Sequence, residues 1–165
     1  MTIELLTKSD FITARDAKPF VPQAFADDGA SLRYAEADVT LTGTGSTSTS
    51  TYLAIRLPSN AVLKWGSVYV TGDTATDAPN MDVGVREVGG NNTLDDDALA
   101  AALDVDDTGP HDFIGALGSQ DTTKQMWEWA GETADPGGDF DIHLSLDADI
   151  VTAGDVKVCV YYTLQ

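Results

Sequence analysis

Gly154-Asp155-Val156-Lys157-Val158-Cys159-Val160-Tyr161-Tyr162-Thr163-Leu164 is the stretch whose reading decides the fold. Val156, Val158, Val160 and Tyr162 recur at every second residue, the repeat of a β-strand with one inward face. Just upstream, Phe140, Ile142, Leu144 and Leu146 alternate with Asp141, His143, Ser145 and Asp147. Residues 149–154 supply a turn, so the two runs are expected to pair as an antiparallel hairpin. Further back, Leu53, Ile55 and Leu57 alternate with Ala54 and Arg56 until Pro58-Ser59-Asn60 breaks the run, after which residues 62–70 resume as a strand. Met81, Val83 and Val85 make another. Residues 32–42 add one more, with Tyr34 and then Val39 and Leu41 as apolar points; the phase shifts midway, which predicts a bulge.

Some six strands broken by Gly, Pro, Asp and Thr turns predict an all-β chain, an antiparallel β-sandwich of jelly-roll-like form rather than a closed barrel. The expected exception is a short helix over residues 94–103. Thr93 can cap it, Asp95, Asp96 and Asp97 favour its positive end, and Leu99 and Leu103 stand four apart. Residues 43–51 are a Gly/Ser/Thr tract read as a loop, and Gly89-Gly90-Asn91-Asn92 is turn material. The chain therefore divides into residues 1–30, an extended N-terminal arm, and residues 31–165, a single sandwich domain. The arm carries Pro19, Pro22 and Gly29 and no sustained alternation, yet it holds Ile3, Leu5, Leu6, Phe11, Ile12, Phe20, Val21 and Phe25. So many large apolar groups either cover the arm's own sandwich or dock on a neighbouring subunit.

The charge is the second strong signal. Against 27 Asp and Glu stand only 9 Lys and Arg, a formal net charge of -18, although 42% of the residues are hydrophobic. A folded chain so acidic repels itself at low ionic strength, whereas multimolar salt shortens the screening length to about 3 Å or less. A salt-loving host is the expected setting. The same charge argues against direct nucleic-acid binding, which needs clustered Lys and Arg. No apolar run approaches the ~20 residues of a membrane span, and the N-terminus lacks the order of a secretion signal. One cysteine, Cys159, excludes an internal disulfide and a multi-cysteine zinc site; on an apolar strand it reads as a buried, inert thiol.

Chemistry has few candidates. His143 falls at an outward strand position and His111 follows Gly109-Pro110 in an expected loop; solvation accounts for both, and no partner spacing marks either. There is no Gly-x-Ser-x-Gly elbow, no phosphate loop and no G-x-G-x-x-G before a helix, so no enzyme and no cofactor are expected. Asp104-Val105-Asp106-Asp107-Thr108-Gly109 begins like a calcium loop, but the twelfth residue is Gly115 where a bidentate glutamate is needed. Weak cation association remains open at Asp95 to Asp97 and Asp104 to Asp107, as does use of the Asn91-Asn92-Thr93 sequon. Trp127-Glu128-Trp129 places two indoles on one side of an extended segment, a sugar platform together with Tyr34 or, more simply, core filling.

Read in order, Leu57-Pro58-Ser59-Asn60-Ala61-Val62, Val68-Tyr69-Val70, Met81-Asp82-Val83-Gly84-Val85, the acidic, alanine-rich 94–103 segment and Gly154 through Tyr162 resemble small β-sandwich virion structural proteins of tailed viruses. The resemblance spans residues 50–163 or so, and residues 1–49 lie outside it. It implies a head decoration, cementing or turret protein, located in the virion after synthesis in the host cytoplasm, with the charge pointing to a haloarchaeal virus. It implies no active site. The expected partners are the major capsid protein or other virion proteins and further copies of the chain, a trimer before a pentamer, with no membrane involved. The expected contact residues are Ile3, Leu5, Leu6, Phe11, Phe20, Val21 and Phe25. A tail or neck component, a carbohydrate-binding module using Trp127 and Trp129, and a small hydrolase are the competing classes.

Overall fold

The valine alternation of residues 154–164 forms the interior strand of a sheet in the computed structural model, which describes residues 31–41, 51–70, 80–89, 95–103, 109–114, 123–146 and 154–165. Eight strands are described: β1 (Arg33–Leu41), β2 (Thr51–Pro58), β3 (Ala61–Val70), β4 (Met81–Glu87), β5 (Asp95–Leu103), β6 (Gly109–Asp112), β7 (Asp139–Leu146) and β8 (Gly154–Leu164). One helical turn, α1 (Met126–Trp129), lies between β6 and β7. The strands make two antiparallel four-stranded sheets, in the orders β1-β8-β3-β6 and β2-β7-β4-β5. Successive strands cross repeatedly from one sheet to the other. That is the jelly-roll order of two Greek keys, so the β-sandwich read from the sequence is the fold observed.

The two sheets meet through the alternate residues that the sequence marks as apolar. Val39 and Leu41 of β1, Val68 and Val70 of β3, and Val156, Val158 and Val160 of β8 are buried together with Ile55, Leu57, Met81, Val83 and Val85 of the facing sheet. Phe140, Ile142, Leu144 and Leu146 of β7 complete that face. Each such side chain contributes about 1.5–3 kcal/mol on burial, which makes this cluster the principal source of stability. Phe113 and Ile114, beyond β6, and Met126 and Trp129 of α1 join the same core. Gly66 of β3 lies directly over Phe113: a Cβ built there would overlap the ring, so only glycine fits.

Four sequence expectations are corrected. The β7 and β8 runs do not form a hairpin; they lie in opposite sheets, because each must turn its apolar face toward the other across the core. Residues 95–103 are not helical but form edge strand β5, with Met81 opposite Leu103 and Val83 opposite Ala100. An isolated helix of about ten residues is marginal in water, whereas the free edge of β4 offers a row of backbone hydrogen bonds. In β5 three steps oppose two, and the surplus is absorbed by Ala102 at φ 52°, whose N–H donates to Asp82 Oδ1 at 2.7 Å. The third correction concerns the bulge expected in β1: its register with β8 is continuous from Arg33 to Leu41. The apparent phase shift arises because Ala35 and Ala37 hold the inward positions while Tyr34 faces out. Irregularities fall instead between Leu53 and Ile55 in β2 and between Leu63 and Trp65 in β3. Lastly, the β2 shift turns Leu53 outward, 54% exposed, rather than in phase with Ile55 and Leu57.

Candidate interaction surfaces

The outer face of the β1-β8-β3-β6 sheet carries an aromatic row. Tyr34 on β1 stands opposite Tyr161 on β8, and Trp65 on β3 stands opposite the same Tyr161. The ring centroids are 5.0 Å and 5.7 Å apart, with tilts of 44° and 50°, distances at which aromatic pairs attract beyond their burial alone. The row stops at the sheet edge, where Tyr34 remains 48% exposed. Its hydroxyl donates to Glu36 Oε2 at 2.6 Å and approaches Cys159 Sγ at 3.3 Å. Those two contacts, the thiol's first and the carboxylate's second, hold the phenol in its neutral form well above the ordinary tyrosine range. Cys159 is thus half-buried beneath a tyrosine on the outer face rather than sealed in the core, since its neighbours Val158 and Val160 take the inward positions. Two residues further along, the Lys157 ammonium lies 2.9 Å from Asp38 Oδ1 and 3.6 Å from Glu36 Oε1, and the hydrogen bond to Asp38 raises its pKa.

The outer face of the other sheet is built around a charged pair. Arg56 of β2 and Asp141 of β7 are register partners, and the guanidinium grips the carboxylate through two bonds. They border an open hollow of about 310 Å³ lined also by Leu53, Ala54 and Ile55. Next along β7, His143 is fully buried between Leu53 and Gly84, its register partners. The expectation of a solvated His143 is therefore overturned: β7 lies between β2 and β4, and both of its faces are buried. His111 is also corrected, from a loop to β6, opposite Val68. Among the described residues no group of three or more His, Cys, Asp and Glu is gathered to hold a metal ion, and no described helix is long and apolar enough to cross a membrane.

The indole pair is not a platform. Trp127 and Trp129 lie in α1, where residues two apart point about 200° away from each other. Trp129 is buried in the core under Lys124, whose Nζ lies 4.4 Å from its ring centroid. Trp127 packs partly against the core and donates from Nε1 to Gln125 Oε1 at 2.6 Å. The turn begins because the Gln125 N–H finds the Glu128 carboxylate at 2.7 Å. Core filling, the simpler reading, is what the geometry shows.

Several expected sites lie outside the described residues: Ile3, Leu5, Leu6, Phe11, Phe20, Val21 and Phe25, the Asp104 to Asp107 run, the Asn91 sequon, and the side chains of Asp95 and Asp96. Conversely, sequence reasoning missed the Trp65-Tyr161-Tyr34 row and the Arg56-Asp141 pair. The pair left a signal, an arginine and an aspartate each in the polar phase of its own strand, but nothing local says which strands are neighbours.

Two solved structures are similar to the whole fold. A chain from the capsid of Ralstonia phage GP4 is 18% identical, with a TM-score of 0.59 over 88% of this chain and 89% of that one. A chain from the cyanophage Pam1 capsid asymmetric unit is 22% identical, with a TM-score of 0.53 over 96% and 98%. No protein-family model matches the chain, and neither does any curated protein sequence.

Proposed function

We propose that the chain is a virion structural protein that decorates or cements the head of a tailed virus, or forms a turret on it, acting through oligomeric contacts rather than catalysis. The observation that carries this reading is the likeness of the fold, a jelly roll in this chain, to chains of two phage capsids over 88% and 96% of its length. Its partners are the major capsid protein or other virion proteins and further copies of itself, most simply as a trimer. It makes no direct contact with nucleic acid or membrane.

The net charge of -18 supports a haloarchaeal virus. Carboxylates keep particles dispersed in brine, while apolar contacts strengthen under salting-out conditions and resist pressure from packed DNA. The arm residues Ile3, Leu5, Leu6, Phe11, Phe20, Val21 and Phe25 supply such contacts. Immunogold labelling of intact virions with antibody against the full chain tests the reading. Label on heads is expected. Label on tails or necks moves the protein to that part of the particle, and virions without label overturn the proposal.

A further inference from the structure

The two sheets do not finish their outer faces alike. On β7, inside one sheet, the outward residues Asp141, His143 and Ser145 are all buried. On the other sheet the outward phase stays open: Tyr34, Tyr161 and Tyr69 are exposed and Trp65 is half-buried. Tyr69 belongs to this face because it stands opposite Lys157 on β8 and Pro110 on β6, in the same phase of β3 as Ser67 and Trp65. Tyrosine and tryptophan gathered on one face are the composition of a contact surface, where these residues and arginine carry most of the binding.

We propose that this face is a docking surface for a protein partner that presents arginine side chains, a different chain rather than a second copy of this one. The inference rests on the virion reading above and names the surface that meets the partner. The first argument is the character of the rings. The face of an aromatic ring is negative and attracts a cation, and the hydroxyl of Tyr34 donates to Glu36, which enriches its ring further. Tilts of 44° and 50° along the Tyr34-Tyr161-Trp65 row deny a sugar a flat platform to stack on. A guanidinium needs only one open ring face.

The second argument is charge. Glu36 and Asp38 on β1, Asp112 on β6 and Asp155 on β8 share the outward phase with the rings, against Lys157 and the neighbouring Lys64. Anions are repelled here, whereas a carboxylate can grip a guanidinium through two bonds. Between the rings Ser67, opposite Cys159, is buried with no hydrogen-bond partner for its Oγ, an acceptor that an incoming N–H satisfies. The third argument excludes a second copy. The chain holds nine Lys and Arg for 27 Asp and Glu, and of the nine Arg56 is gripped by Asp141, Lys157 by Asp38, and Lys124 lies over Trp129. Another copy therefore brings mainly more carboxylate to the face, and like charges repel.

The test titrates the full chain by calorimetry with two capped peptides, Arg-Gly-Arg-Gly-Arg-Gly and its lysine counterpart. Salt of about 1 M, with a screening length of about 3 Å, suppresses the general attraction of an acidic chain for any cation. The arginine peptide is expected to bind at least fivefold more tightly than the lysine peptide. Tyr34→Ala with Tyr69→Ala, both at exposed rings, is expected to remove that preference, and Glu36→Gln with Asp112→Asn, which keeps the rings, to weaken arginine binding at least threefold. Asp97→Asn with Asp139→Asn, which removes the same charge from the other sheet, is expected to leave both unchanged. Equal binding of the two peptides, or a preference that survives the tyrosine substitutions, overturns the proposal. So does displacement of the arginine peptide by maltohexaose, which makes the face a glycan site, or light scattering in which the tyrosine substitutions abolish self-association, which assigns the face to a second copy. None of these results decides the virion reading, which head labelling judges separately.

Discussion

Arg56 Nε donates to Asp141 Oδ1 at 2.7 Å and Nη2 to Oδ2 at 3.0 Å, a fork-to-fork pair that ties β2 to β7 with the aspartate side chain buried and the arginine side chain 54% exposed. The asymmetry decides which partner is dispensable. A buried carboxylate without its cation carries its full desolvation cost, whereas an apolar pair of similar volume can replace both. Arg56→Ala is therefore expected to lower the thermal midpoint clearly, and Arg56→Met with Asp141→Leu to recover most of the loss. A midpoint lower in the double variant than in Arg56→Ala contradicts this account.

Gly66 and Phe113 make a second testable contact. The Phe113 N–H donates to the Gly66 carbonyl at 3.0 Å, and its fully buried ring fills the space where a Cβ on residue 66 would stand. Overpacking of a tight core costs about 1–3 kcal/mol. Gly66→Ala is expected to destabilise by that amount in denaturant titrations, and Phe113→Leu in the same chain to make the second substitution cheaper than the sum of the two alone.

Ala102 allows a substitution in the stabilising direction. Its φ of 52° is strained for a residue with a Cβ and natural for glycine. Ala102→Gly is expected to stabilise by about 0.5–1 kcal/mol, the strain relieved less the extra freedom of the unfolded chain. Ala102→Val, β-branched at the same φ, is expected to destabilise. Equal midpoints for the three chains would show that β5 relaxes freely at this point.

Legibility in the sequence followed the range of the interaction. Strands β2, β3, β4, β7 and β8 were readable because their period-two apolar residues face one shared core. β5 was not, because Leu99 and Leu103 fit a helix four apart as well as a strand, and only the free edge of β4 chooses between them. The placement of β7 and β8 in different sheets, the burial of His143 and the outward turn of Leu53 at a bulge all depend on neighbours distant in the chain. Trp127 and Trp129 misled because their spacing of two suits a strand face, while Gln125 and Glu128 start a helical turn there. At the candidate surface, composition revealed the acidity, but the aromatic row needs β1, β8 and β3 side by side before it exists.

Tyr34 makes alkaline behaviour predictable. Contacts with Cys159 and Glu36 raise its pKa above the ordinary 10.0, so the folded state holds this proton more tightly than the unfolded state does. The stability that results is fully present below pH 10.0 and is lost as pH rises through the folded value. Lys157, raised by its bond to Asp38, acts in the same sense: its contribution is complete below the ordinary lysine value and lost as pH rises past its own. In an ultraviolet titration one of the five tyrosines is expected to ionise later than the rest, and Tyr34→Phe to remove that lag. A lag that survives in Tyr34→Phe assigns it to another tyrosine.

Salt separates two origins of the acidic chain's stability. If repulsion within the -18 charge dominates, stability rises with ionic strength and equally for chloride and sulfate at matched ionic strength, levelling off once the screening length falls to about 3 Å near 1 M. If burial of the apolar core and contacts is what salt strengthens, sulfate outperforms chloride and the rise continues through multimolar salt. With 27 acids and 9 basic residues the first regime is expected up to ~1 M and the second beyond it. Urea midpoints measured across both salts would show the break, and a midpoint independent of salt throughout would remove the halophilic reading.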